Sequence, residues 1–314
     1  MKKILIACAI LVLVSAVYMH TKFNSGEIKA DDDSLDTGLL AYLGTTEEEF
    51  QNGFDNFREF VLSSDKSADF HADDFIKSIS ENSRKFHFYN TLMALIMDLK
   101  SGKLDEIILP EHVGKYLLNR NNFYDGAFNM KILSSGICFA FKADDAELRD
   151  KINAVIKDMN DDGTLAKFAE IYIFNDTAKD PEPIRPEKIN DAEELRIAVT
   201  GDLPPMDMFA PDGKPTGYNT AILAEIGKRL SPPRSIKFIN TEAGSRTSAL
   251  MSGRVDAVFW YRVTKSEIEG DDPLDNIFKD APEGVILSDP YHSWTNEIVL
   301  QKKDGQKFLG LSSK

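Results

Sequence analysis

The sequence has 314 residues, enough for two domains, and 42% of them are hydrophobic, which suffices for two cores. The formal net charge of -14 at pH 7 repels phosphate backbones and anionic lipid, and no run of Lys or Arg offsets it. The composition therefore argues against nucleic-acid binding.

Residues 1–22 have the layout of a secretory signal peptide, with two lysines ahead of an apolar run from Ile4 to about Val14. The alternative is an uncleaved membrane anchor through residues 4–19, although a membrane span usually needs about 20 apolar residues. Both interpretations predict an extracytoplasmic protein, in the periplasm or at the outer face of the cytoplasmic membrane. The polar residues 23–36 are predicted to form a tether.

The first regular elements follow this tether. Thr46 and Glu49 have the spacing of a capping box, which predicts a helix from about Glu47 in a helix-prone region that extends to 82. After it come the strand KFHFY, the helix TLMALIMDLKSGK, the strand LDEIIL and the helix PEHVGKYLLNRN. This β-α-β-α-β run is typical of an open parallel sheet.

A second run of the same kind follows. The strand GICFAFKA and two helices lead to a proline-rich linker over residues 175–194. The strand LRIAV begins the second β-α-β-α-β run, which continues to the strand VDAVFW. The stretches LKSGKLDEIIL (99–109) and LMSGRVDAVFW (250–260) share one pattern, in which Ser-Gly ends a helix and Asp leads into a buried strand.

The second run resembles the extracytoplasmic solute-binding proteins of family 3, which supply polar amino acids and similar solutes to ABC importers. LRIAVTGDLPPMDMFAPDGKPTGYNTAILAEIGKRL resembles the opening of that family, and ALMSGRVDAVFW its next helix and strand. LSDPYHSWTNEIVLQKK is similar to the family's SDPYY segment and crossover strand. The resemblance implies an α/β fold of the type II periplasmic-binding-protein kind, with two lobes that are each a β-α-β-α-β open sheet.

The N-terminal part of the sequence resembles the remainder of the same family, which normally comes last in the chain. The simplest interpretation is a circular permutation of the two lobes, and the alternative is a pair of degenerate tandem domains. The permutation predicts one lobe over 37–133, a strand and helices returning to the other lobe over 134–174, and that other lobe over 195–303. It leaves a tail at 304–314 and predicts one complete crossing between lobes, near residues 130 to 136.

The resemblance also predicts where the ligand binds, but most pocket residues of the family are replaced. The family's two stacking aromatics fall on Leu203 and Ala243, and its ammonium-binding Asp falls on Pro110. Thr45 and Thr46, at a predicted helix start, keep the expected chemistry. The ordinary amino-acid pocket is therefore largely lost.

Other residues at the corresponding strand ends form the candidate site. The predicted ligand-binding residues are Thr45, Thr46, Glu111, Leu203, Ser245, Arg246, Trp260, Tyr261 and Arg262. An aromatic pair with an arginine can hold a planar or carboxylated solute by stacking and a bidentate contact. In the alternative, the aromatics fill the lobe interior and Arg262 pairs with a surface acid. Strand alternation puts Tyr261 on the face opposite to Trp260 and Arg262, so all three cannot contact the ligand in a regular strand.

No catalytic residue, metal site or cofactor is predicted. Cys8 lies in the leader, so Cys138 is the only thiol of the exported part, and the histidines lack metal-ligand spacing. The predicted function is that of a monomeric receptor that holds a small polar solute, amino-acid-like or carboxylated, for an ABC permease. The alternatives are a ligand-less sensor or interaction protein on the same fold and, third, a dehydratase-like enzyme.

Overall fold

The computed structural model describes residues 36–40, 86–121, 124–175, 177–263 and 281–302, and the predicted leader, the helices at 47–82 and the tail lie outside them. In the first part of these described residues, five strands and helices precede a long strand. These elements are β1 (Thr37–Leu40), β2 (Phe86–Tyr89), α1 (Leu92–Ser101), β3 (Glu106–Pro110), α2 (Glu111–Arg120) and β4 (Tyr124–Lys142).

Two helices and a second series of strands follow. A 3-10 turn (Ala143–Asp145) leads into α3 (Ala146–Asp161) and α4 (Thr164–Tyr172). Then come β5 (Glu194–Val199), β6 (Asp202–Leu203), β7 (Asp207–Phe209), β8 (Pro215–Thr216), α5 (Tyr218–Arg229) and β9 (Ser235–Asn240). The last elements are α6 (Arg246–Met251), β10 (Ala257–Val263), β11 (Val285–Leu287) and β12 (His292–Lys302).

Within the described residues, nine strands form one mixed sheet in the order β2-β1-β3-β12-β4-β10-β5-β9, with β11 also paired to β4. Strands β2, β1 and β3 are parallel to one another and, with α1 and α2, form the first strand group. Strands β9, β5 and β10 are likewise parallel and form the second strand group with α5 and α6. Strands β6, β7 and β8 form a small antiparallel ribbon. The predicted α/β fold class, with a β-α-β-α-β series in each half, is confirmed.

Strands β4 and β12 are antiparallel to each other and lie between the two groups. The first half of β4 pairs with β12, and its second half pairs with β10. Residues 297–301 of β12 pair with β3, so the end of β12 completes the sheet of the first group. The crossing that the sequence predicted near residues 130 to 136 falls within β4, which pairs with β12 on one side and with β10 on the other.

Apolar side chains of the described helices and strands form three buried clusters. One lies between α1, β3, the start of α2 and β12, and it includes Leu95, Leu109 and Leu300. The largest packs α3, α4 and α5 against β4, β5 and β10. The third lies under α6 on the other face of the same strands and contains Trp260 and Cys138. Burial of both sheet faces explains the continuous apolar runs at 107–109 in β3 and 257–260 in β10.

The two similar stretches form equivalent corners in the two strand groups. Gly102 and Gly253 have φ of 79° and 72°, a conformation that glycine adopts without steric cost. In the first group, Asp105 N donates to Asp36 O (3.0 Å) and Asp105 Oδ2 accepts from Asp36 N (3.3 Å). In the second, Asp256 N donates to Arg196 O (2.8 Å) and Asp256 Oδ2 accepts from Arg196 N (2.7 Å). The shared pattern is thus a helix stop followed by an aspartate that fastens the new strand to its neighbour.

Candidate functional site

The predicted site residues Glu111 and Leu203 lie at the carboxyl ends of parallel strands in different groups. Glu111 is the first residue of α2, directly after β3, and pairs with Lys115 one turn later (2.6 Å). Leu203 ends β6, shortly after β5, and its side chain packs against the apolar cluster of the first group. This contact brings the loop after β5 to the first strand group.

Three other predicted residues surround the start of α6. Trp260 is 7% exposed and packs in the cluster under α6, and its carbonyl accepts from Cys138 Sγ at 3.5 Å. Arg246 is 9% exposed and donates from Nη1 to the Phe259 carbonyl at 3.3 Å. Ser245, just before the helix, is exposed. These contacts agree with the interior role that the sequence left open for Trp260.

The side chains of four further predicted residues lie outside the described part of the structure. Thr45 and Thr46 lie outside the described residues, and so do the side chains of Tyr261 and Arg262. Their role in ligand binding therefore stays a prediction, as does that of the residues described above.

A buried carboxylate organises the loop after β5. Asp207 is 4% exposed, and its Oδ2 accepts from Thr200 N (2.9 Å), Thr200 Oγ1 (3.1 Å) and Gly201 N (3.1 Å). Burial raises the pKa of Asp207 above its ordinary value, although these bonds oppose the shift. Among the described residues, Oδ1 has no hydrogen-bond partner. The carboxylate therefore holds Thr200 and Gly201 in place ahead of Leu203.

Histidine and aromatic rings connect α2 with the second half of the chain. The rings of His112 in α2 and His292 in β12 lie 6.0 Å apart, edge to face. The His292 ring also lies 5.6 Å from that of Tyr218 at the start of α5 and 6.4 Å from that of Phe174. Burial lowers the pKa of His292 to about 4, and burial together with the charge of His292 lowers the pKa of His112 well below its ordinary value.

Helix α2 also binds the linker. Tyr116 Oη donates to Asp180 Oδ1 (2.9 Å), and Arg120 Nε donates to the same oxygen (3.1 Å). Arg120 Nη2 donates to the Lys179 carbonyl (3.2 Å), and the guanidinium lies 3.8 Å from the centre of the Tyr116 ring. Burial and the bond to Asp180 raise the pKa of Tyr116 to about 12.

These contacts use one face of α2, because His112, Tyr116 and Arg120 are spaced four residues apart. The sequence analysis missed this face. The signal for it was the four-residue spacing of two rings, His112 and Tyr116, and one guanidinium, Arg120, along a helix. What could not be derived was their partner, since Asp180 lies 60 residues beyond Arg120 in the chain.

A cavity of about 490 Å³ lies beside this linker contact. None of the predicted ligand-binding residues lines it. Its walls come from α2, the end of α4, the linker and the β6–β8 ribbon, and the lining residues are Tyr116, Arg120, Tyr172, Asp180, Pro181, Pro183, Pro205, Met208, Phe209, Ala210, Pro211 and Thr216.

The described residues contain no group of three or more His, Cys, Asp or Glu side chains that could hold a metal ion. Over the same part of the chain, no helix has the length and apolar character needed to cross a membrane.

The second strand group has a recognisable sequence relationship. Residues 195–267 match the sequence model of bacterial extracellular solute-binding proteins, family 3. The match covers β5 to β10 with α5 and α6, which include Leu203 and the start of α6. No curated protein sequence is significantly similar to the chain.

Solved structures with a similar fold include several binding proteins. The ligand-binding component of an ABC-type import system from Staphylococcus aureus, with zinc bound, has 9% identity and a TM-score of 0.36, over 85% of this chain and 65% of that one. AgaA from A. tumefaciens R10 in complex with agropinic acid has 12% identity and a TM-score of 0.37, over 69% of this chain and 55% of that one. A point mutant of arginine-bound ArgBP from T. maritima has 13% identity and a TM-score of 0.34, over 91% and 92%.

The chain thus spans less than two thirds of the length of the first two of these proteins. Similarity at this level identifies no solute for the chain.

Proposed function

We propose that the protein is an extracytoplasmic receptor that holds a small polar solute, amino-acid-like or carboxylated, between the two strand groups. The observation that carries this proposal is the match of residues 195–267 with the extracellular solute-binding family. The same match supports a binding role without catalysis. We further propose that the receptor is a monomer, exported by residues 1–22, and that it delivers its solute to an ABC permease.

The arrangement of the strands supports a site between the groups. In open α/β sheets, ligands bind beyond the carboxyl ends of the parallel strands. The loop after β5 reaches the first group through Leu203, and α2 reaches the second half of the chain through His112. A solute that contacts both groups would bind the closed arrangement more tightly and so stabilise it.

Strand pairing also supports the permuted order of the two lobes. Strand β12, at the end of the described chain, completes the sheet of the first group, and β4 pairs with β10 of the second. Each group is thus completed by a strand from the other half of the chain. Two tandem domains that had each lost half would lack such an exchange of strands.

The proposed contacts with the solute come from the nine predicted residues. Ser245 is exposed, Leu203 is half-buried at the end of β6, and Arg262 lies two residues after Trp260 in the strand β10. Arg246 and Trp260 are buried. In this proposal they position the exposed residues of the site, and they contact the solute only where it reaches under α6. Arg262 is the residue that we expect to bind a carboxylate.

A solute screen tests this function. The purified protein is heated with amino acids, short peptides, organic acids and nucleobases, and the melting temperature is measured. A receptor at a solute concentration of about 100 times Kd gains about 2.7 kcal/mol of stability. Failure of every solute class to raise the melting temperature would refute the proposal.

A pair of variants tests the site within the same screen. For a carboxylated solute, Arg262→Ala is expected to weaken binding at least about tenfold. Arg254→Ala is the matched control, because Arg254 is exposed and donates to the Asn240 carbonyl (3.4 Å) in the same group. Equal affinity of both variants would remove Arg262 from the site.

A ligand-less sensor or interaction protein is the second candidate, and one observation favours it. Leu203 stands where the family has a stacking aromatic, and it packs against the apolar cluster of the first group. This packing holds the loop after β5 against the first group without any bound solute. In that case, no solute raises the melting temperature, and Leu203→Ala lowers it. In a solute receptor, the same variant also changes solute affinity.

A further inference from the structure

The linker between α4 and β5 is fastened to the second half of the chain just after the point where it meets α2. Ile184 N donates to Tyr172 Oη (2.8 Å). The next residue, Arg185, makes a bidentate pair with Asp212 (2.9 and 2.9 Å). The linker is therefore a fixed wall for the cavity beside it.

The cavity walls are mostly rings. Tyr116, Tyr172 and Phe209 contribute aromatic side chains, and four prolines line the same space. Proline has little conformational freedom to lose, and aromatic faces favour stacked or edge-on contact with another ring. These walls suit a planar, largely apolar molecule. A volume of about 490 Å³ lies within the usual range of small-molecule pockets, roughly 300 to 1,000 Å³.

One side chain of the cavity wall, Arg120, has a hydrogen-bond donor without an acceptor among the described residues. The Arg120 side chain is 14% exposed and bonds Asp180 and Lys179 through Nε and Nη2, but within the described residues its buried Nη1 has no acceptor. A buried donor without an acceptor is unfavourable, so an oxygen brought by a ligand would be stabilised there. Asp180 balances the positive charge of Arg120, so this wall does not require an anion.

We propose that this cavity is a second small-molecule site, separate from the nine predicted residues, for a planar aromatic solute that carries a carbonyl oxygen. The ring packs among Tyr116, Tyr172 and Phe209, and the oxygen, from a carboxylate or a carboxamide, accepts from Arg120 Nη1 after a small rotation of that side chain. The site requires the linker, because Asp180, Pro181 and Pro183 form one of its walls.

Titration calorimetry on the full chain with three probes tests the proposal. Benzoate and benzamide carry the oxygen, whereas benzylamine has the ring without it. We expect the first two to bind and benzylamine to bind at least about tenfold more weakly. Arg120→Lys keeps the charge but removes the planar donor, and it should weaken benzoate and benzamide at least about tenfold.

Two further variants keep this test interpretable. Phe209 is 37% exposed, so Phe209→Ala should leave the fold intact while weakening both ring-bearing acceptors. Lys237→Gln removes an exposed pair with Glu194 (2.7 Å) that does not line the cavity, and it should change nothing. Undetectable binding of both acceptors at about 10 mM, equal binding of benzylamine, or unchanged binding in Arg120→Lys would overturn the proposal.

This outcome is independent of the function proposed above. A screened solute that stabilises wild type and Arg120→Lys equally, with no benzoate binding, overturns the second site alone. Benzoate binding that Arg120→Lys abolishes, with no screened polar solute bound, overturns the receptor function alone.

Discussion

At the scale of single residues, two aspartates form equivalent hydrogen bonds in the two strand groups. Asp105 and Asp256 each follow a glycine stop, and each closes a pair of hydrogen bonds with the first strand of its group. Asp256 also binds the Arg196 side chain (Nε at 3.1 Å), so it fixes both the backbone and the side chain of that residue. These contacts hold the amino ends of β3 and β10, whose carboxyl ends lead toward the proposed cleft.

Replacement of these aspartates by alanine is expected to destabilise the protein. Asp256→Ala should lower the free energy of unfolding by about 1–3 kcal/mol, and Asp105→Ala should lower it less, because its bond to the backbone is longer. Urea unfolding measures both. Asp161→Ala, which removes an exposed pair with Lys157, is the control and should cost less than about 0.5 kcal/mol. An equal loss in all three variants would contradict this role of the corner.

The buried histidines predict a pH dependence. The pKa of His292 is about 4 in the folded protein, below the ordinary value of 6.5, and that of His112 is lowered too. As the pH falls from about 6.5 toward 4, the unfolded chain binds protons that the folded chain does not. The free energy of unfolding therefore decreases over this window, by at most about 1.4 kcal/mol per pH unit for each histidine.

Urea unfolding at pH 7 and pH 5 measures this loss. His292→Gln should reduce the difference between the two values, whereas His87→Gln, which changes a half-exposed histidine of β2, should keep it. A difference that is unchanged in His292→Gln would show that other groups cause the acid sensitivity.

At the scale of elements, α2 and the linker connect the two halves of the chain. His112, Tyr116 and Arg120 place three contacts on one face of α2, and Asp180 receives two of the hydrogen bonds. The linker thus holds α2 against the second half, beside the cavity. Its composition identified it as a linker, but prolines and charges alone do not reveal what a linker binds.

Asp180→Ala is expected to release this contact. Both donors of α2 lose their shared acceptor, so amide hydrogen exchange of the linker around Asp180 should become faster. Mass spectrometry of the exchanged peptides measures the change. Glu194→Gln, which alters the exposed pair with Lys237, is the control. Unchanged exchange near Asp180 would show that the other linker contacts suffice.

At the scale of the whole molecule, one sheet joins both strand groups. Strands β4 and β12 pair with each other along most of their described length and with strands of both groups. Leu300 of β12 lies fully buried in the cluster of the first group, although it comes near the end of the chain. The two groups are therefore expected to unfold together.

A single unfolding transition is the corresponding prediction. Leu300→Ala in the first cluster and Ile222→Ala in the largest cluster should each cost about 2–5 kcal/mol and shift the same transition. Far-ultraviolet circular dichroism and tryptophan fluorescence should report one melting temperature. Two transitions, each moved by only one variant, would contradict a continuous sheet.

Local patterns were sufficient to predict much of this fold. The helices, the parallel strands and the Ser-Gly corners follow from residue spacing within each segment. The pairing of β12 with β3 and the cavity did not follow, because they depend on contacts between residues far apart in the chain, such as Ile298 with Leu109 or Asp180 with Arg120. Trp260 shows the same limit, since its position at a strand end fits both a ligand contact and the interior packing that it has.

The central claim is that a small polar solute binds between the two strand groups. A crystal structure of the protein with the solute that raises its melting temperature most would test this claim directly. We predict that the solute contacts both the start of α2 and the loop between Thr200 and Leu203 or the end of β10. A solute that contacts only one strand group, or that lies elsewhere on the protein, would contradict the claim.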